Sequence, residues 1–188
     1  MARSKFSHSN NDFYYTPVYA VDIIKPYVKE GDVIWCPFDT KDSNFVKELS
    51  KTNKVHYTHI DDGDDFLEYV PEFDYDVIIS NPPFSIKNEI LDKCYKLNKP
   101  FCLLLPFTMF NSISSVGIID DDIQFIIMDR RISYNGERPN FTSWYVCKGF
   151  LPTSNVIYKF EKDTVALYNI ENNKGVKSFG DMNDPFWQ

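Results

Sequence analysis

The chain predicts an α/β domain in which a mostly parallel sheet is covered by helices on both faces. Two features of the sequence carry that expectation. Four short apolar runs are separated from one another by helix-period stretches or crossovers, the arrangement that yields parallel strands. Three further apolar runs toward the C-terminus lie closer together, which suits an antiparallel hairpin and a neighbouring strand that complete a mixed sheet. At 188 residues the chain fits one domain, large enough to bury a core without metal or disulfide staples. No separate target-recognition domain is expected.

Taken in order, Thr16-Pro17 followed by Val18, Val21, Ile24 and Tyr27 gives a capped helix of about ten residues that ends near Gly31. Residues 32–36 read as a short buried strand. Residues 43–50 (SNFVKELS) read as an amphipathic helix with Phe45, Val46 and Leu49 inward. Over 54–60, Val55, Tyr57 and His59 alternate with polar neighbours, as in a half-buried second strand. An acidic turn, Asp61-Asp62-Gly63-Asp64-Asp65, leads through Phe66-Leu67 to a strand over 76–80, a helix over 86–97 and a strand over 100–106. The closer-spaced strands are 123–128, 143–147 and 156–160. Residues 1–12 are expected to be a flexible polar arm and 13–171 the folded domain. Residues 172–188 form a polar tail that docks, if at all, through Pro185-Phe186-Trp187.

Composition narrows the function classes. A net charge of −7 argues against a broad grip on phosphates, which needs clustered Lys and Arg. Any nucleic-acid contact must then come from a local basic patch drawn from Arg3, Lys5, Lys87, Arg130, Arg131 and Arg138, each of which also fits a solvated surface. Cys36, Cys94, Cys102 and Cys147 show no CxxC or Cys/His metal spacing and are expected to be reduced and packed. His8, His56 and His59 are too scattered for a metal site, so none is expected. No apolar run reaches the roughly 18 residues needed to span a bilayer. The polar residues 1–12 lack a signal-peptide core, so the protein is expected in the cytoplasm.

The chemistry concentrates at Asn81-Pro82-Pro83-Phe84, directly after the apolar run 75–80. An amino group conjugated to a ring or carbonyl has a delocalised lone pair. It attacks a methyl donor well only when two acceptors draw the nitrogen toward tetrahedral geometry. A strand-end Asn carbonyl and the next backbone carbonyl supply both. The prolines fix φ and remove N–H donors, leaving a rigid array of acceptors. The aromatic Phe84 offers an extruded base a face to stack on. As a bland alternative, the same letters make a proline-rich turn after a buried strand.

This run resembles the catalytic motif of the amino-methyltransferases that use S-adenosyl-L-methionine (SAM). That superfamily modifies adenine or guanine amino groups and, in one branch, glutamine side chains. Over residues 13–152 the order of the pieces is similar to small phage-type adenine methyltransferases. The resemblance implies a Rossmann-like class I methyltransferase domain. It also implies that residues 15–21, beginning Tyr15-Thr16-Pro17, lie against the methyl-donor pocket. The loop over 35–43 (WCPFDTKDS) would wrap the methionine part of SAM, with Pro37 and Phe38 matching the family pattern.

Two departures accompany the match. The glycines usual in that loop are absent, as is an acid usual near Cys36. Asp39, Thr40 and Asp42 can still turn the backbone through bonds from their side chains and accept the methionine ammonium. The loop also reads as a polar turn capping the next helix through Asp42 or Ser43. Where the family holds the ribose hydroxyls with a carboxylate, spacing places His59, and Asp61 can substitute. His59 equally fits a satisfied strand residue.

Asp65-Phe66 resembles the pair that reads the SAM adenine, although an acidic turn before a core Phe gives the same letters. Arg130, Arg131 and Trp144 fall in stretches that resemble the region shaping the substrate pocket in the family, and Lys87, just after the motif, is a further substrate-side candidate from the basic patch. Trp144 and Tyr145 also suit core and rim packing. The implied function is SAM-dependent methylation of the exocyclic amino group of adenine in nucleic acid, DNA rather than RNA. Asn81 and the Pro82 carbonyl would orient the amine and Phe84 would stack on the base. Alternatives are guanine in RNA, a protein glutamine, or a non-catalytic inhibitor or nucleic-acid mimic with a protein partner. A homodimer is a further option, and cofactor binding discriminates the catalytic from the non-catalytic case.

Overall fold

In the computed structural model, which describes residues 15–111, 116–134 and 140–160, the apolar runs become seven strands. These are β1 (Val33–Cys36), β2 (Lys54–Tyr57), β3 (Val77–Ser80), β4 (Phe101–Pro106), β5 (Ile123–Met128), β6 (Ser143–Lys148) and β7 (Asn155–Tyr158). One sheet holds them in the order β2-β1-β3-β4-β6-β5-β7. The first four in that order run parallel, β6 is antiparallel to both β4 and β5, and β7 returns parallel to β5. This is the mixed α/β class expected from the sequence. The arm over 1–12, the tail over 172–188 and Arg138 lie outside the described residues.

Parallel pairing requires crossovers, and these cover both faces of the sheet. Every residue of β3 and β4 is buried, which is why both read as unbroken apolar runs rather than alternating ones. On one face α1 (Val18–Ile24) and α2 (Asn44–Leu49) pack Val21, Ile24, Phe45 and Leu49 against Ile34, Ile79, Leu104 and Tyr145. On the other, α3 (Lys87–Leu97) packs Ile90, Leu91 and Cys94 against Trp35, Ile78, Leu103 and Val146. All four cysteines are buried. Among the described residues no helix is long and apolar enough to cross a membrane.

The structure departs from the sequence reading at three places. The N-cap of α1 is Pro17, which offers no capping hydrogen bond, whereas Thr16 is buried and its carbonyl accepts from Asn44 Nδ2 at 2.8 Å. The segment then tightens into a 3-10 turn at Lys25–Tyr27 around Pro26, which has no N–H to continue the α-helical ladder. Strand β2 stops at Tyr57, short of residue 60. Because β2 is the sheet edge, Tyr57 is 43% exposed rather than inward.

The segment between β2 and β3 holds no strand, in line with the turn read there from the sequence, and Trp35 organises it. Its indole is fully buried, donates from Nε1 to Thr58 Oγ1 at 3.0 Å, and meets the rings of Phe66, Tyr69, Phe73 and Tyr75 at 5.0–6.0 Å between centroids. Such aromatic pairs contribute roughly 0.5–1.5 kcal/mol each beyond their buried area, enough to fix a segment that lacks ladder bonds.

A buried hydrogen bond ties β6 to α1. Tyr145, wholly buried, donates from its hydroxyl to the Ala20 carbonyl at 2.8 Å. Tyr145→Phe is expected to lower unfolding free energy by about 1 kcal/mol. Urea denaturation checks this, with the midpoint falling and the slope unchanged.

Candidate functional site

Because β1 lies between β2 and β3, the order of the strands reverses across the sheet there, and the loops after these strands diverge. Such a switch point leaves a crevice at the carboxyl ends of the strands. The crevice is a cavity of about 180 Å³. Its walls come from the loop after β1 (Pro37, Phe38, Asp39, Thr40), the turn after β2 (His59, Asp61, Asp64, Asp65, Phe66), the turn after β3 (Asn81, Pro83) and, before α1, Tyr15 and Thr16.

The loop after β1 turns without glycine. No residue between 37 and 43 has a positive φ, so the backbone freedom of glycine is not called upon. The turn is closed by polar side chains instead. Ser43 Oγ accepts from the Thr40 amide at 3.0 Å, the Ser43 amide donates to the Thr40 carbonyl at 3.0 Å, and the Asp42 amide donates to Thr40 Oγ1 at 3.3 Å. Ser43 then stands as the N-cap residue of α2, with extended backbone and no bond from its hydroxyl to the helix amides.

Asp39 is the group the sequence places but does not explain. It is 6% exposed, its Oδ2 accepts from the hydroxyl of Ser80, and Ser43 also hydrogen-bonds to it. Burial raises its carboxyl from 3.8 to about 6, with the two serines pulling the other way. Ser80 immediately precedes Asn81 and is fully buried. One hydrogen bond therefore joins the loop after β1 to the turn after β3. The Cys36 thiol, at the end of β1, is pushed well above its ordinary value by burial and by the nearby Asp39.

His59 is buried and begins the 3-10 turn Ile60–Asp62. Its Nδ1 accepts from the Asp61 amide at 3.2 Å, which puts the ring proton of the neutral imidazole on Nε2. Asp61 Oδ2 approaches the same Nδ1 at 3.4 Å, a contact that becomes an ion pair only if that nitrogen gains a proton. Gly63 closes the turn at φ 93°, a left-handed position that suits glycine. Asp65 Oδ1 accepts from the Leu67 amide at 3.0 Å, and its carbonyl accepts from the amides of Glu68 and Tyr69. Asp65 thus both shapes this turn and lines the cavity. Phe66 packs against Phe38 with ring centroids 4.9 Å apart.

All the residues picked for the cofactor side, Tyr15, Thr16, Pro37, Phe38, Asp39, His59, Asp61, Asp65 and Phe66, line this one cavity together with Asn81. Pro82 is buried beneath the turn, and Phe84 sits beside the cavity rather than in its wall, edge-on to Phe141 at 5.3 Å. The four substrate-side candidates do not line it. Lys87 begins α3 and Arg131 is exposed. The Arg130 guanidinium is spent on the Phe160 carbonyl at 3.0 Å, the Phe160 ring and Asp129. Trp144 packs on Phe107 at 4.2 Å and on Phe125 at 6.3 Å.

Ser80, Asp64 and Lys93 were not singled out from the sequence. For Ser80 a signal existed, a hydroxyl ending an otherwise apolar strand directly before the Asn. For Lys93, one of several lysines on a solvent-facing helix pattern, there was none.

The cavity wall is acidic. Asp39, Asp61, Asp64 and Asp65 line it, and no Lys or Arg is among the described residues that do. A phosphate-bearing ligand would meet carboxylates with no cation to offset them, whereas a cationic ligand is favoured.

No protein-family model matches the sequence, and no curated protein matches it. Among solved structures it is similar to the methyltransferase subunit of a type I restriction-modification system from Streptococcus thermophilus. The identity is 10% and the TM-score 0.44, over 87% of this chain and 54% of that one. The chain thus spans about half the length of that protein, and the likeness assigns no function.

The raised Asp39 carboxyl has a thermodynamic consequence. Its folded value lies above the unfolded one, so the folded protein holds the proton more tightly. Its penalty on stability is absent below pH 3.8, grows as pH rises toward 6, and is complete above that. A rise of that size corresponds to roughly 3 kcal/mol. Asp39→Asn is therefore expected to stabilise the unliganded protein at pH 7.5 by about 1–3 kcal/mol, and to have no such advantage near pH 4. Thermal unfolding at the two pH values checks this.

Proposed function

We propose that this protein is a SAM-dependent methyltransferase acting on the exocyclic amino group of adenine in nucleic acid, with DNA favoured over RNA. The observation that carries the reading is the acidic cavity that contains Asn81 in its wall. It pairs a preference for a cationic ligand with Asn81, one of the two acceptors that the amino-group chemistry calls for. SAM bears a sulfonium and an ammonium, and its adenine and ribose are uncharged.

In this reading Asp39 receives the methionine ammonium, and His59 or Asp61 holds the ribose hydroxyls. Asp65 accepts from the adenine amine of the cofactor, and Phe38 and Phe66 flank its ring. Tyr15, 70% exposed, stands at the mouth. Bound SAM supplies an electrophilic methyl group. The protein's own contribution to the reaction is orientation. Asn81 and the Pro82 carbonyl accept the two protons of the target amine and turn its lone pair outward. No general base is needed before attack, because the amine proton becomes acidic only as the nitrogen becomes cationic. The absence of a His or Glu from Asn81-Pro82-Pro83-Phe84 fits that order of events.

Phe84 lies beside the cavity, against Phe141, where an extruded base reaching Asn81 would stack. The nucleic acid itself is held through a local patch to which Lys87 and Arg131 contribute. Arg130 is assigned a structural part, and Trp144 a supporting one within its aromatic cluster.

Calorimetric titration with SAM and with S-adenosylhomocysteine tests the reading. Micromolar binding supports it, and transfer of labelled methyl groups to DNA, RNA or protein then names the acceptor. A folded sample that binds neither compound overturns it in favour of a non-catalytic protein. Asn81→Ala is expected to abolish methyl transfer while leaving SAM affinity within a few-fold, so unchanged turnover would remove Asn81 from its role. Phe84→Ala is expected to weaken base binding by about 1–3 kcal/mol while Phe84→Tyr keeps it, as read from acceptor affinity.

A further inference from the structure

Lys93 is a charged group that neither the core nor the proposed chemistry accounts for. It lies on α3 and is withdrawn from water far enough that burial lowers its pKa, against the opposing charges of Glu68 and Asp65 and the nearby Cys94. Its Nζ donates to the backbone carbonyls of Phe66 and Tyr69, the second at 2.7 Å, and stands 5.0 Å from the centre of the Phe66 ring. A methionine would fill the same space without the cost of desolvating a charge. What only a multiple donor supplies here is the capture of two carbonyls at once.

Those carbonyls belong to the segment with no strand between β2 and β3. There the amides of Leu67, Glu68 and Tyr69 are closed locally on Asp65, so the turn has its own internal bonds but no ladder to anchor it. Trp35 holds Phe66 from the sheet side, at 5.4 Å between centroids, and Lys93 holds it from α3. The same helix begins three residues after Phe84, directly behind the Asn81–Phe84 turn.

We propose that Lys93 is a positioning residue for the cavity, fixing the Asp65-Phe66 wall from the helix that also carries the acceptor turn. This rests on the reading of the cavity as a SAM site. It implies that displacement of α3 when an acceptor docks is felt at the wall on which the cofactor's adenine would lie.

The test compares Lys93→Met and Lys93→Arg with the wild type in two ways. Hydrogen exchange of the Leu67, Glu68 and Tyr69 amides is followed without ligand. Affinities for SAM and for 5′-methylthioadenosine, which lacks the amino-acid part, are measured by calorimetry. Lys93→Met is expected to speed exchange at those amides about tenfold with β1, β3 and β4 still protected, and to weaken both compounds about tenfold. Lys93→Arg, which keeps N–H donors for both carbonyls, is expected to restore both readouts to within about threefold. If Lys93→Met does not fold, Lys93→Gln replaces it in both measurements.

Unchanged exchange, unchanged affinity, or failure of the Arg variant to rescue overturns the proposal. A wild type that binds neither compound instead overturns the reading of the cavity. Exchange then decides alone whether Lys93 holds the wall.

Discussion

Burial of β3 and β4 on both faces is the constraint from which the other features follow. A strand covered on both sides has no room for polar chemistry along its length, so every functional group is pushed to its end. Parallel neighbours then require crossovers that bring successive strand ends to the same edge. Ser80 and Asp39 lie at and just beyond the strand ends, and they meet because β1 and β3 are adjacent. The cavity results from strand direction as much as from the residues that line it.

This accounts for what the sequence disclosed. The apolar runs of β1, β3 and β4 and the Asn81-Pro82-Pro83-Phe84 turn were legible because doubly buried strands and proline turns each leave a local signature. The lining residues could be picked by their order in the sequence, since the loops after successive parallel strands converge. The middle of the fold was harder to read. Tyr57 alternates like an inward residue, but an edge strand has no neighbour to bury it. Trp35 in a four-residue strand gives no hint that it will gather four rings around itself. The parallel return of β7 beside β5 is set by packing across the sheet, which no window of sequence contains.

The cavity is organised against stability. Asp39 is kept in a place where its charge is poorly solvated, and the hydroxyl of Ser80 offsets only part of that burden. Asp61, Asp64 and Asp65 add like charge around the same space. Local choices that oppose folding gather where a sequence serves something other than its fold. Elsewhere among the described residues Cys94, Cys102 and Cys147 are buried and the Tyr145 hydroxyl is satisfied.

The glycine-free loop after β1 bears on how a ligand would be received. Glycine would leave that stretch a wide range of backbone states, to be surrendered either on folding or on binding. Residues 37–43 instead include a proline and are closed by short polar side chains at negative φ, so most of that freedom is surrendered during folding. Less ordering remains to be done at the moment of association. On this side the wall of the cavity is set before any ligand arrives, a mould rather than a flap.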